Sequence, residues 1–305
     1  MPGIITTGSH PKALWPGVKA WYGTTYDEHM EEYTDLFEVQ EMGERAYEEI
    51  VETTNFGLMS VKPQTAGITY DVDSQGSVSR FTAVTYASGY ICSYEEQKDG
   101  QYEIVSKRRA KKLAFSARQT VENVAAAVYN RAFTSGYNGG DGVTLCSSSH
   151  PMVGGATASN LLTTAADLSE TALEDLVIQT MDCTDNRGNR ISVLPEQLLV
   201  PTAKAFEAER ILKSTLQNDT ANNAVNALRS KGTFPKGYAV NHYFDSTTAF
   251  FVRTNVKDSM IFMWREKPDL FQDNDTDTRN LKAGIIARFV AYWADWRGLF
   301  GTPGV

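Results

Sequence analysis

The stretch Ser-Ser-Ser-His-Pro at residues 147–151 holds the side chains most able to do chemistry. A serine near a histidine, with a carboxylate behind the histidine, is the arrangement of a serine hydrolase. The stretch lacks the G-x-S-x-G turn that exposes such a nucleophile. Adjacent residues of an extended chain point to opposite faces, and Pro151 restricts His150 to an extended conformation. We therefore expect His150 and Pro151 to fix a loop against the core, with a Ser/His hydrolase as the alternative.

A second candidate site is the acidic run that contains Asp273, Asp275 and Asp277. Its D-x-D-x-D spacing resembles the start of a calcium-binding loop. An EF-hand also needs a glycine at its sixth position and a glutamate at its twelfth, and here these positions are Thr278 and Gly284. The pattern therefore favours a solvated acidic loop, and a looser cation site is the alternative.

The other candidates for catalysis or cofactor binding are the cysteines and a glycine-rich run. Cys92, Cys146 and Cys183 form no C-x-x-C pair, which indicates reduced thiols instead of a zinc site or a disulfide framework. The glycines within 139–142 are followed by neither a phosphate-binding lysine nor the dinucleotide-binding spacing. We predict no catalytic residue, no metal and no cofactor, and hence a protein that is not an enzyme.

The composition limits the classes of protein to which the chain can belong. The 305 residues are 42% hydrophobic and 22% charged, which is typical of a folded globular chain. The formal net charge of −8 has the wrong sign for a protein that binds nucleic acid over its whole surface. The first residues show no secretory signal, and no run of about 18 apolar residues predicts a membrane span.

The first quarter of the chain predicts an arm and an acidic strip. Residues 1–26 are rich in Gly, Pro, Thr and aromatic residues without periodicity, which favours an extended arm. Residues 27–52 contain eleven carboxylates, among them Glu31, Glu32 and Asp35, and the single basic residue Arg45. This pattern is typical of a solvated helix face, and the alternative is a strip that docks on a basic partner surface.

The next segments predict a long hairpin followed by a long helix. Residues 57–100 are rich in Thr, Val, Tyr and Ser, with a polar turn at 73–77 between two β-prone runs. Residues 106–135 contain neither Gly nor Pro and carry one apolar stripe, which predicts a single helix. Its start carries the basic residues Lys107, Arg108, Arg109, Lys111 and Lys112. We expect these basic residues to form ion pairs with acidic segments of the protein, and contact with DNA is the alternative.

The rest of the chain alternates helices and strands. Asp167 and Glu170 predict a capping box for a second helix that runs to about Met181. A strand should precede Thr202, which begins a third helix with Phe206 among its apolar positions, and residues 217–237 are predicted to form a polar loop. The last third predicts β-structure that ends in a long strand covered on both faces. The fold class is α+β, without domains that are contiguous in sequence.

Several of these segments, in their order along the chain, resemble the major capsid proteins of tailed bacteriophages, in particular relatives of the Mu-like head subunit. The resemblance covers most of the chain and rests on these stretches: GYICSYEEQKDGQYEIV, ENVAAAVYNRAF, GGDGVTLCSSSHPMVGGATASNLL, ADLSETALE, DNRGNRISVLPEQLLVP, AERILKS, TAFFV, WREKP and YWADWRGLFG. In that family the SSSHP-like segment is a structural loop.

The resemblance implies the Hong Kong phage-type capsid fold and a division of the chain. The implied parts are an N-terminal arm at 1–55, an E-loop hairpin at 56–105, a peripheral domain at 106–165 whose spine helix is 106–135, an axial domain at 166–280, and a closing strand of the peripheral domain at 281–305. The closing strand would return to the peripheral domain.

The resemblance also implies a function. The chain would be a structural subunit of an icosahedral phage head, self-assembling into hexamers and pentamers that enclose double-stranded DNA in the virion. A separate scaffolding protein, a portal and a decoration protein would be its partners, and no membrane is involved. Lys62 and Lys98 are the only lysines in the hairpin, and we predict no cross-linking through them. An encapsulin-like compartment shell is the alternative with the same fold.

Overall fold

The computed structural model of the chain describes residues 30–98, 102–217 and 224–305. In this part of the chain, β-strands form two four-stranded sheets and two smaller pairs, with helices packed against the larger sheets. The α+β class predicted from the sequence is confirmed. The predicted arm lies largely outside the described residues.

The first large sheet has the order β1-β10-β11-β4. Its centre is the antiparallel hairpin of β10 (Met260–Asn274) and β11 (Leu281–Trp293). Strand β4 (Val84–Cys92) lies antiparallel to β11, and the short β1 (Glu38–Glu41) lies parallel to β10. The short helix α1 (Tyr33–Leu36) precedes β1 and packs its Tyr33 ring against the sheet. This sheet supports the long helix.

The long helix α3 (Tyr102–Asn130) follows a short helix α2 (Tyr94–Lys98). This helix begins before residue 106 and ends before residue 135, the two bounds predicted from the sequence. After Asn130 the amides of Ala132 and Thr134 bond carbonyls three residues back, so the chain tightens into turns. The apolar face of α3 joins the main core through Val121, Ala125 and Tyr129, which are buried.

The second large sheet has the order β12-β9-β7-β8. Its strands are β7 (Pro195–Pro201), β8 (Tyr238–Asn241), β9 (Phe250–Thr254) and β12 (Leu299–Thr302). Strand β7 is buried almost throughout, as expected of a central strand covered on both faces. Around this sheet lie helices α4 (Glu170–Met181), α5 (Ala205–Lys213) and α6 (Ala227–Lys231).

Two details of these helices differ from the sequence prediction. The cap of α4 is Ser169, whose Oγ accepts the Ala172 N–H at 3.2 Å, and Asp167 instead accepts the amide of Val305. Phe206, one of the apolar positions on which the third helix was predicted, is 80% exposed. A 3-10 turn at Thr202–Lys204 precedes α5, and the helix then buries Ala208 and Ile211, so Phe206 falls off the buried stripe.

The hairpin also differs from its prediction. Strand β2 (Tyr47–Thr53) pairs antiparallel with β3 (Gln75–Thr82), and residues 54–74 connect them. The turn expected at 73–77 is therefore the beginning of β3. Only Ala83 separates β3 from β4, which joins the first sheet. The acidic strip contains the one-turn helix α1 and strands β1 and β2, so the prediction of a solvated helix face is wrong for most of it.

The end of the chain forms two strands where we expected one. A 3-10 turn at Trp296–Gly298 lies between β11 and β12 and carries the chain from the first large sheet to the second. Strands β10 and β11 pair along their length, so the boundary expected at residue 280 falls within one hairpin. The division into arm, E-loop, peripheral and axial parts stays a prediction. A small pair, β5 (His150–Pro151) and β6 (Thr157–Ala158), completes the strands.

Candidate functional site

The SSSHP segment turns its histidine into the core. His150 has no exposed surface, and its ring stacks on Trp296 with centroids 4.9 Å apart. Its Nδ1 lies 2.6 Å from Asp141 Oδ2, and its Nε2 lies 3.0 Å from Asn160 Oδ1. Asn160 donates through Nδ2 to the carbonyls of Leu145 and Leu299 at 2.7 and 2.9 Å. The cluster therefore joins the 141–160 loop to the end of the chain.

The hydrogen-bond geometry leaves no nitrogen of His150 for a serine. Asn160 Oδ1 also accepts the Ser147 N–H at 2.8 Å, so it is an acceptor and His150 Nε2 donates to it. The serine hydroxyls instead face each other, with Ser147 Oγ and Ser149 Oγ 3.5 Å apart. Pro151 is exposed and pairs with Thr157 in the small sheet. The arrangement holds a loop and presents no activated nucleophile.

The acidic run at 273–277 is the turn region of the β10–β11 hairpin. Asp275 Oδ2 lies 2.7 Å from Lys282 Nζ, and this ammonium lowers the pKa of Asp275. The Asp275 carboxylate also accepts the amide of Asp277. Among the residues that the structure describes, no group of three or more His, Cys, Asp or Glu side chains is placed to hold a metal ion. No described helix is long and apolar enough to cross a membrane.

The three cysteines are free and buried thiols. Burial raises the pKa of the Cys92 thiol to about 11, with a contribution from the Glu96 carboxylate 3.2 Å away. Burial likewise raises the pKa values of Cys146 and Cys183. Protonated, buried thiols are poor nucleophiles.

The most unusual surface of the described chain is the hairpin loop, residues 54–74. Its large apolar side chains are exposed to solvent, and Met59 is exposed completely. The exposed members of this set are Phe56, Leu58, Met59, Val61, Ile68, Tyr70 and Val72. Such a concentration of exposed apolar side chains in one loop is typical of a site for protein contact.

The base of the hairpin is tied to the body by Arg297, which is 4% exposed. Its Nη1 lies 3.3 Å from Glu52 Oε1 of β2, and its Nη2 donates to Asn186 Oδ1 at 3.0 Å. Glu52 Oε2 also accepts a hydrogen bond from the Oγ of Ser77 in β3, at 2.8 Å. Burial alone would raise the pKa of Glu52, but the hydrogen bonds from Asn186 and Ser77 and the charge of Arg297 outweigh it and lower that pKa. Both strands of the hairpin are thus held by one buried network.

A second clamp closes the two ends of the hairpin loop. Asp71 Oδ2 accepts the Gly57 N–H at 2.6 Å and the Arg187 Nη1–H at 2.7 Å. The Gly57 amide, followed by Arg187, lowers the pKa of Asp71 to about 2. The clamp leaves residues 58–70 between its two sides as the part of the loop that projects.

The predicted acidic residues make contacts inside the subunit. Glu31 Oε1 lies 2.8 Å from Nη2 of Arg118, on α3. The Glu32 carboxylate accepts the backbone amide of His242 at 2.9 Å and lies 2.6 Å from its Nδ1. The backbone carbonyl of Asp35 accepts a hydrogen bond from Arg253 Nη1 at 2.8 Å. The acidic strip therefore meets α3 two to three turns beyond the basic start of that helix.

The predicted basic residues have other surroundings. Arg109 pairs with Glu96 through two hydrogen bonds of 2.7 and 3.1 Å. Arg108, Lys111 and Lys112 are exposed, and the side chain of Lys107 lies outside the described residues. Inside one subunit, the described contacts do not join Glu31, Glu32 or Asp35 to these cations. A contact between subunits stays a prediction.

Sequence reasoning missed two charged residues on the buried side of α3. Arg118 is 3% exposed and Glu122 is 1% exposed. Burial raises the pKa of Glu122 to about 7, although Arg118 and the amide of Glu32 act to lower it. Their i, i+4 spacing and opposite charges were the available signal.

The described chain combines a long helix on a hairpin-centred sheet, a second sheet with short helices, and an exposed apolar hairpin loop. Residues 77–301 match the family model described as "Phage capsid protein", so the chain belongs to this family. A search of curated proteins found no match to the sequence.

Solved structures share the fold. The chain is similar to the capsid of Myoviridae phage XM1, at 10% identity with a TM-score of 0.52, covering 100% of both chains. It is similar to a structure from Mycobacterium phage Patience, at 11% identity with a TM-score of 0.54, covering 98% of this chain and 89% of that one. It is also similar to a virus-like particle from Pyrococcus furiosus, at 9% identity with a TM-score of 0.53, covering 94% and 98%. At such identities the likeness establishes the fold alone.

These findings confirm the predicted capsid fold and the main resemblance. The chain is a structural subunit of an icosahedral phage head, it self-assembles, and its place is the capsid of the virion. The family match favours the phage head over the encapsulin-like alternative. Kinship with Mu-like head subunits in particular stays a prediction.

Proposed function

We propose that copies of this chain form hexameric and pentameric capsomers in which the hairpin loop of each subunit lies on a neighbour. The observation that carries the proposal is the exposed apolar surface of residues 54–74, which is clamped at both ends by the networks of Arg297 and Arg187. An apolar surface that is clamped at both ends and left exposed by the described part of the subunit is suited to burial against another copy.

The proposed role of each part of the chain is the one that the resemblance implies. The arm at 1–55 and the E-loop at 56–105 would contact neighbouring subunits. The spine helix would support the peripheral domain at 106–165, which the segment 281–305 would close, and the axial domain at 166–280 would face the capsomer centre. The exposed Phe206 in the proposed axial domain supports a further subunit contact there.

The proposed partners are a separate scaffolding protein, a portal, a decoration protein and the packaged double-stranded DNA, without a membrane. The net charge of −8 supports a container that does not bind its genome tightly.

We also infer that the subunit has no catalytic activity. The support is the buried ring of His150, whose two nitrogens face Asp141 and Asn160. If the hydrolase alternative were right, purified protein would turn over ester substrates and would lose that turnover in Ser149→Ala. We expect no turnover in either protein.

The test of the shell proposal is Met59→Asp. A charge at this fully exposed site costs nothing in the free subunit but would be buried in the proposed contact. We expect Met59→Asp to keep the unfolding midpoint of the free subunit and to lose assembly of shells, measured by size-exclusion chromatography and negative-stain microscopy with the scaffolding protein present.

The matched control is Met59→Leu, which keeps an apolar side chain of similar volume and should assemble as the parent chain does. Shells formed by Met59→Asp at the parent yield would contradict the proposed contact.

A further inference from the structure

Strand β4 forms an open edge of the first large sheet. It pairs with β11 on one side, and on its other side no hydrogen bond from a described residue reaches its backbone. Its nine residues include neither a charged residue nor a proline, and its pairing with β11 contains no bulge. The other edge strands of the two large sheets, β1, β8 and β12, have four residues each. Charges, prolines, bulges and short length are the devices that keep an edge from accepting another strand, and β4 has none of them.

An open cavity of about 340 Å³ lies beside β4, between the first large sheet and α3. Tyr86 and Ser88 of β4 line it on the sheet side, and Ala117 and Val121 line it on the helix side. Phe289, which is buried, also lines it, so the cavity reaches the core. Its volume is that of about eleven molecules of liquid water, which is room for one or two large side chains. We call it the β4 cavity.

A strand added at the open edge of β4 would point every second side chain toward this cavity. Tyr86 and Ser88 are two residues apart, so they project from the same face of the sheet. Side chains of an adjacent strand on that face would lie about 5 Å from them. In strand addition of this kind, main-chain hydrogen bonds provide affinity and pockets for alternate side chains provide specificity. The edge and the cavity together can therefore receive an extended segment in which every second residue is large and apolar.

The hairpin loop contains such a segment, residues 66–70. Ile68 and Tyr70 are exposed and two residues apart, with the small Thr69 between them. The backbone amides of residues 67–70 donate to no described group. Thr69 Oγ1 accepts a hydrogen bond from Ser60 Oγ at 3.2 Å, so this side chain is turned toward the other side of the loop. In an extended chain, Ile68 and Tyr70 would share the opposite face.

The alternative occupants within the chain fit less well. As a strand, residues 58–61 would present Leu58 on one face and Met59 and Val61 on the other, and only one of these faces could enter the cavity. Pairing of β4 with the β4 of another copy would join only two subunits about a two-fold axis, and such a contact builds no ring.

We propose that residues 66–70 in the hairpin loop of a neighbouring copy add as a further strand to the open edge of β4, with Ile68 and Tyr70 in the β4 cavity. The inference rests on the proposed function, in which the loop lies on a neighbour, and it names the surface that receives the loop. Each copy then offers two different surfaces, and head-to-tail contacts of this kind close into rings. The clamp of Asp71 by Arg187 directly follows the segment and sets where the added strand ends.

The first experiment places the photo-cross-linker benzoylphenylalanine at position 70 of the full chain. This unlabelled chain is assembled as a minor fraction with ¹⁵N-labelled parent chain, alone and with the proposed scaffolding protein. The shells are irradiated, and cross-linked peptides are identified by mass spectrometry. We expect peptides that join position 70 to labelled residues 84–88 or 116–121. The same group at position 69 would point away from the cavity and should give about fivefold fewer cross-links to 116–121.

The outcomes separate this inference from the shell proposal. Shells in which position 70 cross-links only within its own chain, or only to residues outside these two ranges, would overturn the added strand and leave the shell contact standing. Equal cross-linking of positions 69 and 70 to α3 would also overturn it. A parent chain that forms no shells would overturn the proposed function and this inference with it.

The second experiment compares charges at adjacent positions of the loop. Ile68→Asp would place a charge in the β4 cavity and should lower the yield of shells about tenfold. Thr69→Asp would point to the other face and should keep the yield within about twofold of the parent chain. Both positions are exposed, so both free subunits should keep the unfolding midpoint of the parent. An unchanged yield for Ile68→Asp, or equal losses for the two variants, would contradict the added strand.

Discussion

At the scale of single residues, the histidine of SSSHP shows which part of a site the sequence can reveal. The extended conformation before Pro151 and the missing nucleophile turn already favoured a structural loop. The partners of His150 are 9 and 10 residues away, at Asp141 and Asn160, and nothing in their types or spacing identifies them. Only the fold brings these residues around the ring of Trp296.

Asn160 is the residue of this cluster whose loss should cost most. Asn160→Ala removes a donor to the carbonyls of Leu145 and Leu299 and the acceptor of His150 Nε2, all in the core. Leaving such groups without hydrogen bonds costs about 1–3 kcal/mol each, with partial relief from relaxation. We expect the free energy of unfolding to fall by about 3 kcal/mol in urea titrations.

Ser149→Ala is the matched control, because Ser149 is exposed in the same loop. It should change the free energy of unfolding by less than about 0.5 kcal/mol. Equal effects of the two substitutions would show that Asn160 does not hold the loop.

Glu122 should give the subunit a distinct pH dependence. Its folded pKa of about 7 lies above the ordinary value of 4.5, mainly because burial disfavours the charged form. The favourable contribution of the protonated group is fully present below about pH 4.5 and is lost as the pH rises through 7. Glu122→Gln cannot ionise, so it should be more stable than the parent at pH 8 by about 1–3 kcal/mol.

The measurement is the free energy of unfolding of both proteins between pH 4 and pH 8. The titratable groups that interact with Glu122 are Arg118, Glu32, Tyr33 and Tyr243, and all are kept in the variant. A difference that stays constant over this range would contradict the assignment to Glu122.

At the scale of elements, the long helix was predictable because its pattern is long and free of Gly and Pro. The strands of the last third were predictable because apolar residues dominate both alternations of their sequence. The hairpin was only partly predictable. Strand β2 lies in the acidic strip, and its residues alternate between exposed and half-buried. Because Glu48, Glu49 and Glu52 are all charged, this alternation is not visible in the sequence, and the segment resembles a charged helix face. The position of Phe206 was missed because a 3-10 turn changed the phase of α5.

Arg297 determines how the hairpin is attached to the body, and the sequence gives no sign of it. Arg297→Met removes the charge that faces both Glu52 and Asp295 and leaves these two partly buried carboxylates without their cation. Loss of one partner of such a pair costs about 3 kcal/mol. We expect a lower unfolding midpoint and at least threefold faster limited proteolysis within residues 54–74.

Arg80→Ala serves as the control on the same hairpin. Arg80 pairs with Glu49 at 2.7 Å but is 59% exposed, so its loss should cost less than about 1 kcal/mol. Proteolysis that accelerates equally in both variants would argue against a special role for Arg297.

At the scale of the whole molecule, the charges that the subunit leaves exposed are candidates for contacts between copies. Asp35 makes no ion pair among the described residues, and Lys112 is exposed at the start of α3. If acidic and basic segments meet between subunits, Lys112→Glu or Asp35→Lys alone should weaken assembly. The double reversal should restore it, measured as shell yield at low salt. Failure of the double variant to recover would remove this pairing.

The clamped apolar loop at residues 54–74 should close the shell by lying on a neighbouring subunit. The most direct measurement is electron cryo-microscopy of particles assembled from the purified chain, alone and with the proposed scaffolding protein, at a resolution that traces residues 54–74. We expect icosahedral shells of hexamers and pentamers with each hairpin loop buried against an adjacent subunit. Closed shells whose loops project into solvent, or a strictly monomeric chain under all conditions, would contradict this contact.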